Sequence, residues 1–328
     1  MSPEGAVAEF EREFERRRKI IADFVKQRGT VTFRDFCWAL LYHPDAGYYV
    51  REEVELIETY DDFVVDRNLR EAAIEIAVRD MLCRNLEEDV VTLKLLGDEE
   101  KIDEGFEGVV VANEYFTSLP FHIVKRDENG EKLVCVKYEG DFLEVECGKE
   151  LKELEEVEEF LSYARPYINV EKFAVCTDAV RKMEEIASKI ERGYVLIVDY
   201  GLPAEEYYSR KLRLACFSKD SFSHNPYSSA GKRAVSAPVD FTALMRAAER
   251  EGMEVNGMTS YRYFLLNTIG KDETEEASDF KSIAMPVTMK VLVLQKGVEW
   301  RKLKCLRNTP AFGYWVKYNR VDTSFLDL

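Results

Sequence analysis

Two short apolar runs constrain the fold of this chain most strongly. Val109–Ala112 reads VVVA and Tyr194–Val198 reads YVLIV; a glycine precedes each run and a polar residue follows it. Runs of this length are typical of strands that are buried on both faces of a sheet. The amphipathic stretch 177–192 leads into the second run, and the order helix, glycine, buried strand is that of a parallel sheet. We therefore predict an α/β fold with a doubly wound, mostly parallel sheet.

The remaining patterns predict a helical start and an insertion. Apolar residues at helical spacing predict helices over 7–28, 33–43 and 66–86. Alternation over 122–147 around Asn129-Gly130 predicts an antiparallel β-hairpin. A helix is expected over 241–252, and a late strand over 290–295. We divide the chain into an N-terminal helical portion (1–86), an α/β domain (87–298) with a hairpin and helical insertion at about 121–165, and a basic, aromatic C-terminal tail (299–328).

The charge balance of the chain disfavours two classes of partner. The chain has 46 Lys and Arg against 62 Asp and Glu, a formal net charge of −16. Such a balance disfavours nucleic acid and anionic membrane surfaces as partners. Neither a membrane-spanning apolar run nor an export signal is recognisable, so we expect a soluble, cytoplasmic protein.

The cysteines and histidines give no metal pattern. Seven cysteines are scattered along the chain without a CxxC pair, which predicts free thiols in a reducing compartment and no zinc or iron–sulfur site. His43 and His122 lack partners at helical spacing, so we interpret both as structural. We expect no bound metal.

Candidate functional residues follow the two buried runs. Asn113 and Glu114 come directly after the first run, and Asp199 and Tyr200 after the second. Ligands of open parallel sheets bind beyond the carboxyl ends of the strands, so these polar residues are the first candidates for a site.

A second constellation lies over residues 221–227, where Ser221 and His224 stand close together ahead of Asp240. A hydrolase could use such residues as a Ser–His–Asp triad. No GxSxG sequence supports that interpretation, and Asp240 is most simply the N-cap of the helix that follows it.

An ordered series of short motifs resembles the MidA-like family, which includes a mitochondrial protein arginine methyltransferase. The resemblance spans roughly residues 29–297. Its motifs are Gly29–Phe33, Leu40–Pro44, Gly47–Tyr49, Asp62–Val64, Asn113–Phe116 with Leu119-Pro120, Asp199–Gly201, Leu212-Arg213, Pro226, Gly231, Val239–Phe241 and Met289–Leu292.

The resemblance implies a methyltransferase (Rossmann-like) fold with S-adenosylmethionine as cofactor and methyl transfer to a protein side chain. Asn113 and Glu114 would lie next to the methyl donor, as catalytic and cofactor-binding residues. Tyr48, Tyr49, Asp199, Tyr200 and Asp240 would lie on the substrate side. The implied partner is another protein with an exposed arginine.

The sequence departs from the family in the cofactor half. No GxG sequence occurs between Asp61 and Asn113, whereas the family has a glycine-rich loop there. Only 20 residues, 89–108, precede the Val109 strand, and one βαβ unit needs about 30 residues. A single strand over 90–96 fits this gap, so we expect a sheet that is truncated in its cofactor half.

Individual substitutions agree with that departure. Thr117-Ser118 stands where the family has Asp-Ala, and Ala234 and Pro238 replace an Asp and a His. The sequence therefore predicts a degenerate methyltransferase homologue that acts as a protein-binding or assembly protein. The alternative is an active protein arginine methyltransferase with a rebuilt cofactor site.

Overall fold

The computed structural model describes residues 3–50, 67–83, 90–93, 102–148, 155–218, 221–228, 230–270 and 289–307. The helices are α1 (Pro3–Arg28), α2 (Phe33–Tyr42), α3 (Arg67–Leu82), α4 (Glu155–Ala164), α5 (Thr177–Lys189), α6 (Ala204–Tyr207), α7 (Phe241–Arg250) and α8 (Tyr261–Thr268). The strands are β1 (Thr30–Thr32), β2 (Val90–Leu93), β3 (Phe106–Asn113), β4 (His122–Asp127), β5 (Gly130–Tyr138), β6 (Phe142–Glu146), β7 (Lys172–Val175), β8 (Ile190–Leu202), β9 (Ala215–Ser218), β10 (Ser221–Ser223), β11 (Ala234–Ser236), β12 (Val239–Asp240), β13 (Glu254–Ser260) and β14 (Met289–Lys296).

A mixed sheet forms the centre of the fold. Its strand order is β13-β14-β8-β3-β2, and β12 pairs with the end of β8. β2, β3 and β8 run parallel, whereas β14 is antiparallel to both β8 and β13. The α/β class is confirmed, but a mostly parallel sheet is not, because β14 runs opposite to both of its neighbours and the two smaller sheets are antiparallel.

Helices cover both faces of this sheet. On one face α5 and α7 pack against Val110, Val195 and Ile197. On the other face α3 and α8 pack against side chains such as Val111 and Leu196. The two apolar runs are at most 2% exposed throughout. Burial of each Val, Leu or Ile side chain in them contributes roughly 1.5–3 kcal/mol to the free energy of folding. Burial on both faces explains why these strands lack the alternation of a half-exposed strand.

Two glycines bring β3 and β8 together at their amino ends. Gly108 and Gly193 are register partners with φ values of +149° and +148°. A Cβ atom at Gly193 would lie 1.9 Å from the carbonyl oxygen of Gly108. The glycine ahead of each buried run is therefore required by the backbone-to-backbone approach.

The strand predicted within the short gap before Val109 is confirmed. β2 pairs with β3 from Val90↔Val109 to Leu93↔Ala112. It is the one strand described between α3 and β3; residues 84–89 and 94–101 lie outside the described part of the chain. β2 therefore lies at one end of the strand order of the described sheet.

The N-terminal helices are also confirmed, but they do not share one core. α1 and α2 pack with the second sheet, where the rings of Phe36 and Phe142 have centroids 5.0 Å apart. Thr32 caps α2 by accepting a hydrogen bond from the Asp35 amide at 3.1 Å. α3 instead packs on the central sheet. The domain boundary at residue 86 remains a prediction.

The predicted hairpin is formed by β4 and β5 and belongs to a five-stranded antiparallel sheet with β1, β6 and β7.

The prediction that the cysteines are free thiols is wrong for two of them. Cys135 in β5 and Cys147 after β6 form a disulfide with Cα atoms 5.0 Å apart, so not all seven cysteines are free. Linear spacing gives no sign of this pair, because the β5–β6 turn brings the two cysteines together. Cys37, Cys83, Cys176, Cys216 and Cys305 remain free.

A third, three-stranded antiparallel sheet contains β9, β10 and β11. The tail begins by packing back on the fold: Leu303, Cys305 and Leu306 are buried against α3 and α8. Residues 308–328, most of the predicted basic, aromatic tail, lie outside the described residues. No described helix is both long and apolar enough to cross a membrane.

Candidate functional site

Asn113 and Glu114 lie at the carboxyl end of β3, next to the end of β8. Glu114 has a φ of +51° and is the one described non-glycine residue with a positive φ. Its amide donates a hydrogen bond of 2.8 Å to the carbonyl of Val198. A left-handed conformation costs a glutamate about 1–3 kcal/mol, and such strain is concentrated at functional sites. The backbone thus fixes the direction of the Glu114 carboxylate.

Arg70 on α3 binds this carboxylate, a contact that sequence reasoning missed. Its Nη1 atom donates to Oε1 of Glu114 in an ion pair. The side chain of Arg70 is 14% exposed and that of Glu114 is 35% exposed. Burial opposes the charge of Arg70, but the nearby Glu114 carboxylate raises the pKa of the guanidinium.

Two buried polar atoms at this site lack a hydrogen-bond partner in the described structure: Oδ1 of Asn113 and Nε of Arg70. The first is an acceptor and the second a donor on a charged group. Buried polar atoms in folded proteins are nearly always hydrogen-bonded, so a pair of this kind indicates a place for a polar ligand.

Asp199 lies one strand away, and its contacts are internal. Its carboxylate accepts hydrogen bonds from the amides of Phe116 (2.8 Å), Thr117 (3.2 Å) and Tyr200 (2.8 Å) and from the Thr117 hydroxyl (2.7 Å). Burial raises the pKa of Asp199 to about 7, against the effect of the Thr117 hydroxyl, and the charge of Glu114 adds to the rise. Asp199 therefore holds the segment that follows Glu114.

The charge of the Glu114 carboxylate affects two tyrosines. Burial and then the charge of Glu114 raise the pKa of Tyr200. Burial, Tyr42, Tyr48 and Glu114, in that order, raise the pKa of Tyr49, whose ring centroid is 5.6 Å from that of Tyr42. Tyr48 packs against Tyr49 and is almost fully buried. Of the predicted substrate residues, Tyr49 and Tyr200 thus lie within electrostatic reach of Glu114.

Asp240 has contacts of its own, separate from the Glu114 ion pair. It caps α7 by accepting a hydrogen bond of 3.1 Å from the Ala243 amide, and the Tyr163 hydroxyl also donates to it. Burial raises the pKa of Asp240 to about 6 against the effect of Tyr163. The carboxylate borders an apolar cavity of about 20 Å³, to which Phe116 and Pro238 contribute, with room for about one water molecule.

The hydrolase interpretation does not fit the structure. Nδ1 of His224 is 2.7 Å from the carbonyl oxygen of Leu214 and therefore donates to it. Ser221 shares a hydrogen bond of 2.7 Å with Ser218 and accepts another from Arg233. No Ser–His–Asp chain of hydrogen bonds occurs in the described residues. The same residues contain no group of three or more His, Cys, Asp and Glu side chains that could hold a metal.

A family model described as "putative S-adenosyl-L-methionine-dependent methyltransferase" matches residues 64–259, more than half of the chain. The chain belongs to this family. The match includes Arg70, Asn113, Glu114, Asp199 and Asp240, and the MidA-like resemblance is consistent with it. No curated protein matches the sequence.

Two solved structures from Burkholderia thailandensis share the fold of this family member. One is described as a "likely methyl transferase" bound to S-adenosyl-homocysteine, with a TM-score of 0.73 and 21% identity. The other is the native structure of an uncharacterised protein of the same superfamily, with a TM-score of 0.71 and 20% identity. In each comparison the match covers 94% of this chain and 97% of the other.

Proposed function

We propose that this chain binds S-adenosylmethionine at the carboxyl ends of β3 and β8 and transfers its methyl group to a protein side chain. The observation that carries the proposal is the buried, unpartnered Oδ1 atom of Asn113 beside Glu114, whose backbone is held at a φ of +51°. Family membership and the fold shared with a structure bound to S-adenosyl-homocysteine support the same ligand. Arginine is the acceptor that the MidA-like resemblance implies.

The residues at this edge fit such a cofactor. S-adenosylmethionine carries a positively charged sulfonium and an ammonium, and Asn113 Oδ1 and the Glu114 carboxylate are acceptors for positive groups. When bound, the cofactor supplies an electrophilic methyl group. Side chains of α3 and β3 would thus hold it without the family's glycine-rich loop, as in a rebuilt cofactor site.

The protein's own contribution is position. Asp199 fixes the backbone of residues 116–117, which begin two residues after Glu114, so the segment that carries the carboxylate keeps its place. Orientation of the acceptor nitrogen in line with the methyl–sulfur bond is the main requirement of methyl transfer. We expect Tyr49 and Tyr200, whose pKa values are raised by the charge of Glu114, to flank the acceptor.

Calorimetric titration with S-adenosylmethionine and with S-adenosyl-homocysteine tests the proposal. We expect both to bind, and we expect Asn113→Ala to weaken binding by about 10-fold or more, because a hydrogen bond to a charged group is lost. Asn169→Ala is the matched control, since Asn169 is exposed and its side chain donates to the nearby Tyr167 carbonyl. No binding of either compound by the unaltered protein contradicts the proposal.

A second candidate is a non-catalytic, protein-binding member of the family. The Glu114 carboxylate is already paired with Arg70. Pro238 stands where the family has a histidine, and it borders an apolar cavity. Mass spectrometry of arginine-containing peptides incubated with the protein and S-adenosylmethionine separates the two, with lysine-substituted peptides as control. A gain of about 14 Da for each methyl group, which replaces one hydrogen of the peptide, supports the enzyme. Cofactor binding without any mass gain supports the non-catalytic candidate.

A further inference from the structure

Arg70 is a buried cation with only part of its hydrogen-bonding capacity used. Nη1 contacts Glu114, whereas Nε is buried without a hydrogen-bond partner in the described part of the chain. A charged group is normally buried only when it is paired and its donors are satisfied. Arg70 therefore presents a donor that a ligand would satisfy.

The geometry of the guanidinium narrows the class of ligand. Its donors form a planar fork, and a carboxylate bridges the edge made by Nε and Nη2 with two parallel hydrogen bonds. The contact with Glu114 uses Nη1, so it leaves this edge to a second carboxylate. Among the described residues, Glu114, Tyr261 and Tyr200 have the largest electrostatic effects on Arg70, and Glu114 is the carboxylate of the three.

The second unpartnered atom has the opposite polarity. Asn113 Oδ1 is an acceptor, one residue before Glu114, and suits an ammonium group. Arg70, which contacts Glu114, offers a donor for a carboxylate, and Asn113, the residue before Glu114, offers an acceptor for an ammonium; an α-amino acid carries both groups. A phosphate would satisfy the donor but not the acceptor.

We infer that Arg70 binds the α-carboxylate of S-adenosylmethionine, with the α-ammonium facing Asn113 Oδ1 and Glu114. This inference rests on the proposed function and adds a cofactor-binding residue to it. The ion pair with Glu114 then serves to orient the guanidinium rather than to block the site. With the cofactor bound, the two carboxylates, that of Glu114 and that of the cofactor, balance two positive charges, those of Arg70, which is 14% exposed, and the α-ammonium.

The test compares S-adenosylmethionine with its decarboxylated analogue, which lacks only the α-carboxylate, by calorimetric titration. The unaltered protein should prefer the intact cofactor by about 10- to 100-fold, the range for hydrogen bonds to a charged group. Arg70→Gln should reduce that preference to near one by weakening the intact cofactor alone. Arg70→Lys keeps the charge without the fork and should give an intermediate preference.

Arg79→Gln is the matched control, because Arg79 lies on the same helix in an exposed ion pair with Glu75. It should keep the full preference. Thermal unfolding verifies that each variant is folded, and Arg70→Lys decides the outcome if Arg70→Gln does not fold. A preference near one in the unaltered protein, or an unchanged preference in the folded Arg70 variants, overturns this inference while the proposed function stands. No binding of S-adenosylmethionine overturns both.

Discussion

Asp199 is a fully buried carboxylate whose proton affinity depends on the fold. Burial raises its pKa from 3.8 to about 7. The unfolded chain releases this proton near pH 4, whereas the folded chain keeps it until about pH 7. Between these values the folded state binds more protons, so rising pH destabilises it.

We expect Asp199→Asn to remove this pH dependence. From pH 4 to pH 7 the unaltered protein should lose stability relative to the variant, by at most about 4 kcal/mol, since each pKa unit corresponds to about 1.4 kcal/mol. Urea unfolding at several pH values measures the difference in free energy of unfolding. Asp240 titrates in both proteins, so its contribution cancels from the difference between their free energies of unfolding. Parallel pH profiles for the two proteins would contradict the role given to burial.

The sequence identified Asn113, Glu114, Asp199 and Tyr200 because strand ends of an open sheet converge at one edge. It could not identify Arg70, which lies 44 residues before Glu114 on a helix where an arginine normally indicates an exposed position. Nor could it separate the internal role of Asp199 from a role toward substrate, because three of its four donors come from residues 116 and 117, more than 80 positions away. Contacts between residues far apart in the sequence decide both the role of Arg70 and that of Asp199.

At the level of elements, the contact between β3 and β8 depends on backbone approach. Gly193→Ala would place a methyl group 1.9 Å from the Gly108 carbonyl oxygen. We expect the variant to lose about 3 kcal/mol of unfolding free energy, the upper part of the range for overpacking. Gly148→Ala is the control, since no atom lies within 4 Å of its added carbon, and it should change stability by no more than about 0.5 kcal/mol. Equal urea midpoints for the two variants would show that the strands can separate at no cost.

Elements with a clear period or an apolar run were predictable: α1, α2, α3, β3, β8 and β14. β13 was not, because Asn256, Gly257 and Thr259 give it neither alternation nor a continuous apolar run. Its burial comes from its neighbours, since Asn256 bonds to Gln295 of β14 at 2.6 Å. Strand direction was not predictable either, because the apolar pattern of β14 is the same whichever way it runs.

At the level of the whole molecule, the core that the five-stranded sheet shares with α1 and α2 differs from the two cores of the central sheet, and a fourth cluster joins the two sheets through Leu202 of β8 and Ala243 of α7. The Cys135–Cys147 disulfide lies in the sheet that packs with α1 and α2, whereas Asn113, Glu114 and Arg70 lie at the central sheet. Stability and ligand binding should therefore respond differently to its loss.

We expect Cys147→Ser to lower the free energy of unfolding by about 3 kcal/mol, the chain-entropy value for a loop this short, measured by urea unfolding without reductant. Affinity for S-adenosylmethionine should stay within about twofold, as for sites that share no contacts. Cys83→Ser, at an exposed free thiol, is the control and should change neither quantity. A large loss of affinity in Cys147→Ser would show that the two sheets are coupled.

The position of β14 between β8 and β13 has a consequence for synthesis on the ribosome. β14 is the last described strand of the sheet along the chain, yet it occupies an interior place and is the strand with which β13 pairs. A nascent chain that ends before Met289 leaves one edge of β8 bare and gives β13 no place in the sheet. The sheet beneath Asn113 and Glu114 is therefore completed only after Lys296 has been translated, and a stop codon before Met289 removes two strands rather than one.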